Sequence, residues 1–110
     1  MGDRVSIQFK DAETGELSVT LFSHWGGMDF VLKALEYAKE LKKDAEIEGA
    51  VYPLYRLEAS TVMVDFIRDL TQDGARTVRN LYLGATPEDG DNSDNGNFII
   101  DLSTMSILHD

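Results

Sequence analysis

The sequence predicts an α+β domain: a two-layer sandwich in the order ββααβββ, with a mainly antiparallel sheet of about five strands and two helices on one face. Three observations predict it. Apolar and polar residues alternate near both ends of the 110-residue chain, and between those ends apolar residues recur twice at helical spacing. Each helical stripe has one apolar side to bury, whereas the strands around Ser6, Gln8, Ser18 and Thr20 each carry a polar face, so both helices are expected on the other face. Residues 1–110 are expected to form a single domain, because the length suits one core and no repeat or composition shift marks a second.

In chain order, Val5, Ile7 and Phe9 alternate with Arg4, Ser6, Gln8 and Lys10, the pattern of a strand with one buried and one wet face. Asp11-Ala12-Glu13-Thr14-Gly15-Glu16 reads as a turn in which Gly15 supplies a left-handed residue. Leu17, Val19 and Leu21 then alternate with Ser18 and Thr20, completing an antiparallel hairpin. Phe22 interrupts the polar face, so the sheet is expected to be covered on both sides there. From Asp29 the period changes: Phe30, Val31, Ala34, Leu35, Ala38 and Leu41 form one stripe, opposite Lys33, Glu36, Lys39, Glu40 and Lys43. Asp29 suits the cap or first turn of this helix and Lys42-Lys43 its last turn, the charge order that the helix dipole favours.

Asp44 to Tyr52 has no clear period, and Pro53 either opens the next helix or ends the loop before it. Ala59, Val62, Met63, Phe66, Ile67 and Leu70 form the second stripe, with Glu58, Asp65, Arg68 and Asp69 towards solvent and Gly74 as the stop. Leu81 and Leu83 alternate with Asn80 and Tyr82 in a third strand, stopped by Gly84 and Pro87. Phe98 to Leu102 and Met105 to His109 read as a closing hairpin around Ser103-Thr104.

Composition narrows the functional classes. Asp plus Glu number 20 against 10 for Lys plus Arg, a formal net charge of −10, which argues against nucleic acid and favours basic or neutral partners. With no cysteine, disulfides, thiol catalysis and thiolate metal sites are excluded. No apolar run is long enough to span a bilayer, and Met1-Gly2-Asp3-Arg4 leads into a strand pattern instead of an export signal. A cytoplasmic protein without membrane contact or cofactor is expected.

The candidate site is Ser23-His24-Trp25-Gly26-Gly27, between strand and helix. Two glycines there permit positive φ and leave main-chain N–H groups uncovered beside a helix N-terminus, where an anion, a carbonyl oxygen or an acidic side chain can be held. His24 and Trp25 flank that position, one able to exchange protons near neutrality, the other offering an apolar face with one N–H donor. The alternative is a tight turn with Trp25 plugging the end of the core. Phe22-Ser23-His24-Trp25-Gly26-Gly27, Leu83-Gly84, and Asp94-Asn95 shortly before Phe98-Ile99-Ile100-Asp101-Leu102 together resemble uncharacterised small proteins of phages, archaea and bacteria. Many of those carry His-Trp-Asp-Gly, so Gly26 here lacks a carboxylate found there. The resemblance implies that His24, Trp25 and Gly27 form one unit, and it implies no activity.

Other constellations carry less. Ser23, His24 and Asp29 have the residue types of a triad, but adjacent strand residues point to opposite faces and no nucleophile elbow is present. Asp91, Ser93, Asn95 and Gly96 match the first half of a calcium loop, yet Leu102 stands where a bidentate glutamate belongs; a solvated loop is expected. His24 with His109 as a metal pair lacks specified further ligands. Tyr52-Pro53-Leu54-Tyr55-Arg56 is either a contact surface or a cap on the core. Two function classes follow: a non-enzymatic binding module that engages a protein or a small anionic ligand through His24, Trp25, Gly26 and Gly27, or a small hydrolase or transferase using His24 beside the Gly26-Gly27 N–H groups.

Overall fold

The computed structural model describes residues 2–46, 57–72 and 80–109, so Pro53, Gly74 and the Tyr52–Arg56 cluster lie outside the described residues. Strands β1 (Val5–Lys10) and β2 (Thr20–Ser23) pair antiparallel, with Ser6 opposite Phe22 and Ile7 opposite Leu21. The turn between them passes through Gly15 at φ +77°, a conformation that costs glycine nothing. Lys10 bridges Leu17, so Gln8 and Phe9 face Ser18, Val19 and Thr20, one residue too many. This is a β-bulge. Ser18 repairs the broken ladder: Phe9 N–H donates to its Oγ at 2.9 Å, and Gln8 Nε2 donates to its carbonyl at 3.2 Å. The bulge ends the regular strand early and leaves Leu17 and Val19 exposed, where the alternation predicted core positions.

Helices α1 (Gly27–Ala45) and α2 (Ala59–Leu70) occupy the segments with helical periodicity, α1 starting two residues before Asp29. Asp29 lies in the first turn of α1 and makes no side-chain cap; the N-cap residue is Gly26. The first N–H of α2 is met from outside the helix, since Ala59 N–H donates to Asp11 Oδ2 at 3.3 Å. Both apolar stripes pack with Val5, Ile7, Phe9, Leu21, Phe98 and Ile100 in one core. Phe66 is at its centre, 5.9 Å from the rings of Phe9 and Phe30 and 5.3 Å from Tyr37. The Tyr37 hydroxyl donates to the Asp65 carboxylate and ties the helices together.

Strands β3 (Leu81–Gly84), β4 (Asn97–Asp101) and β5 (Ser106–His109) complete a sheet ordered β3-β2-β1-β4-β5. The α+β class holds, and among the described residues the strands and α-helices follow one another as ββααβββ with a 3-10 turn after β3, but the sheet is mixed, because β1 and β4 run parallel at its centre. The remaining pairs are antiparallel. The parallel pair arises because residues 85–96, with a short 3-10 helix at Pro87–Asp89, carry the chain from β3 across the face opposite the helices.

That crossing corrects the expectation of a wet polar face. Ser6, Gln8, Thr20, Asn97 and Asp101 are buried. Asn92 Nδ2 donates to Ser6 Oγ at 2.8 Å, Ser6 Oγ donates to Asn97 Oδ1 at 2.7 Å, and Asn97 Nδ2 donates to Gln8 Oε1 at 3.0 Å. Each bond satisfies a group that burial would otherwise penalise. Phe22 stacks on Tyr82 on this face, with ring centroids 4.8 Å apart, so the sheet is covered on both sides there.

Candidate functional site

The site begins where β2 ends. His24 N–H donates to Asn80 O and Asp3 N–H donates to His24 O, both at 2.9 Å, so the backbone of His24 is held between the start of β3 and the N-terminal segment. The chain then turns sharply. Gly26 N–H donates to Ser23 Oγ at 3.0 Å, and Gly27 N–H donates to Asp3 O at 2.9 Å. Both glycine donors therefore have acceptors within the chain. Gly27 has φ +56°, and a Cβ there would collide with the Asp3 carboxylate. The acidic group at this helix N-terminus is thus the protein's own Asp3, where it opposes the positive end of the dipole. At Gly26 a Cβ would approach Phe30 Cβ to 2.5 Å and Ser23 Oγ to 2.6 Å, so a side chain at this position requires both neighbours to move.

Closing the turn in this way pushes its two aromatic residues outwards. His24 and Trp25 are exposed, Trp25 at 53%, and the edge of one ring meets the other at a centroid distance of 4.6 Å. Trp25 does not plug the core. It stands on a cleft of about 300 Å³, lined also by Ser23, Gly26, Asp29, Lys33 and Leu81. Met28 and Leu32, one helical turn apart on α1, are also exposed, at 41% and 50%, and do not line this cleft. The cleft brings Ser23 and Asp29 together with Trp25 and leaves His24 outside its lining.

The Asp91, Ser93 and Asn95 loop closes on the N-terminal segment. Arg4 Nη1 meets Asp91 Oδ2 at 2.6 Å, and Arg4 Nε meets Asp94 Oδ2 at 2.9 Å. Ser93 N–H donates to Asp91 Oδ1 at 3.0 Å, and Asn95 Nδ2 donates to Asp3 Oδ1 at 2.7 Å. Hydrogen bonds from Ser93, then the attraction of Arg4, hold the Asp91 carboxyl below its usual range. For Asp94 the hydrogen bond from the Arg4 side chain has the same effect. The loop's carboxylates thus surround a guanidinium, and among the described residues no group of three or more His, Asp or Glu is placed to hold a metal ion. His109 stacks on Phe98 at 4.5 Å in edge strand β5, with β4 and β1 between it and the strand that leads to His24.

Asp3 and Arg4 are the residues that sequence reading missed. They sit at one end of the alternating pattern, and nothing in their spacing announces that one closes the glycine turn and the other anchors the distant loop. The cleft's neighbour Leu81 was legible only as a strand residue. No family model, curated protein or solved structure matches the chain, and among the described residues no helix is long and apolar enough to cross a membrane.

Proposed function

We propose that the protein is a non-enzymatic interaction module that binds a basic, partly apolar segment of another protein on the surface formed by Trp25 and its cleft. The observation that carries this is the exposure of Trp25: a large apolar ring with one N–H donor held over a cleft is the kind of residue that dominates binding energy at interfaces. The net charge of −10 supports a basic partner and weighs against nucleic acid. Catalysis by His24 with the glycine N–H groups has less support, as does capture of a small anion, because Ser23 Oγ and Asp3 O already accept those hydrogen bonds. His24 is assigned as a positioning residue that holds the Trp25 ring, and Gly26 and Gly27 as the turn that presents it. The acidic, cysteine-free composition suits a cytoplasmic setting.

A peptide rich in lysine and valine, titrated into isotope-labelled protein and followed by NMR, tests this. Amide shifts are expected at Trp25, Asp29 and Leu81. Trp25→Ala should weaken binding by at least about tenfold, as loss of a central aromatic contact does, while lowering stability by only about 1 kcal/mol because half the ring is in water. His24→Ala should weaken it by about two- to tenfold, the worth of one edge-to-face aromatic pair, and His24→Phe should restore it. Unchanged affinity in Trp25→Ala would remove the basis for the assignment.

A further inference from the structure

We propose that β3 is a docking edge, to which an extended segment of the partner adds as a further strand with apolar and basic residues in alternation. This rests on the interaction-module reading of the Trp25 surface and specifies the partner's chemistry. Leu81 joins the two regions, since it lines the Trp25 cleft and also a second groove of about 280 Å³.

Backbone geometry supplies the first support. The hydrogen bond from His24 N–H to Asn80 O fixes which residues of β3 face β2. In an antiparallel pair that orientation repeats every second residue, so Tyr82 and Gly84 turn towards β2 while Leu81 and Leu83 point their N–H and C=O groups away from it. Among the described residues β3 is the last strand on this side of the sheet. Among the described residues no strand pairs with these outward groups, and a strand edge of this kind is a template for an added strand.

The two faces of β3 supply the second. On the helix side, Leu81 and Leu83 line the groove with Leu21, Ile67 and Thr71, and Leu83 is 58% exposed. On the opposite side, Tyr82 Oη accepts a hydrogen bond from Asp91 N–H at 2.8 Å, and Asp89 packs against Gly84. Glu88 and Asp89 beside them are exposed, and Asp91 is shared with Arg4. A strand laid along β3 therefore sets every second side chain over an apolar groove and the intervening ones beside carboxylates. Apolar residues fit the first positions and lysine or arginine the second. A second copy of this chain fits poorly, because it brings the same carboxylates and another net charge of −10 to the contact.

The test uses an acetylated peptide in which lysine and valine strictly alternate, a peptide of equal composition with the two residues in separate blocks, and two N-methylated forms of the first. One form is methylated on every valine and the other on every lysine. An added strand turns alternate N–H groups towards β3, so only one methylated form should bind, and the other should be weaker by at least about tenfold. The Leu81 and Leu83 amides should shift and become protected from exchange. Leu83→Pro removes an N–H that points away from β2, a substitution an edge strand tolerates, and should weaken binding about as much. Equal binding by the blocked peptide or by both methylated forms, with shifts confined to Trp25 and Asp29, would overturn strand addition and leave the interaction module standing. No binding by any peptide would overturn both. A concentration-dependent dimer protecting Leu81 and Leu83 without peptide would overturn the assignment to another protein.

Discussion

Gly27→Ala is expected to lower folding stability by about 2–4 kcal/mol, a large effect for one methyl group. Part is conformational: Gly27 has φ +56° and a residue with a Cβ there costs about 1–2 kcal/mol. The rest is steric, because the new Cβ runs into the Asp3 carboxylate, itself held by Asn95 Nδ2 at 2.7 Å. The two parts separate in a double-mutant cycle by urea denaturation. Asp3→Ala removes the obstacle, so the pair Asp3→Ala with Gly27→Ala should cost clearly less than the sum of the singles, leaving the conformational part. Strict additivity would mean that the Asp3 carboxylate does not stand against Gly27.

Asn97→Leu should be comparably damaging, at about 2–4 kcal/mol. Leucine has the branched shape of asparagine but is bulkier and apolar, so it crowds a buried position and leaves the Ser6 hydroxyl without the acceptor at 2.7 Å and Gln8 Oε1 without the donor at 3.0 Å. Ser6 and Gln8 are buried, so water cannot replace either bond, and each orphaned group costs about 1–3 kcal/mol. A loss below about 1 kcal/mol by urea denaturation would show that water reaches this face of the sheet.

The contrast between Asn97 and Phe66 shows what the sequence made legible. Phe66, Val62 and Ala59 announce their helix because period and polarity agree, and both helices form on those periods. Ser6, Gln8 and Asn97 are polar, and polarity alone predicts exposure. Ser6 is covered from residues 85–96, through Asn92, and bonds in turn to Asn97 and through it to Gln8, contacts between segments about 90 positions apart that no local pattern encodes. The same remoteness hid the parallel pairing of β1 with β4. At the site, the strand-to-helix break and the positive φ of Gly27 could be read from two adjacent glycines, whereas the partner of that turn is Asp3, more than twenty residues away. The bulge at Ser18 was hidden for a different reason: an inserted residue preserves the alternation on either side of it.

Trp25 is the only tryptophan, so its fluorescence reports on the proposed surface alone. The most direct measurement is quenching of that fluorescence by iodide, with and without the alternating lysine and valine peptide, at constant ionic strength because the peptide and protein carry opposite charge. In the free protein the half-exposed ring should be quenched readily, and saturating peptide should shield it and move its emission to shorter wavelength. Accessibility unchanged by saturating peptide, or a ring already shielded in the free protein, would contradict the assignment of Trp25 as the centre of a binding surface.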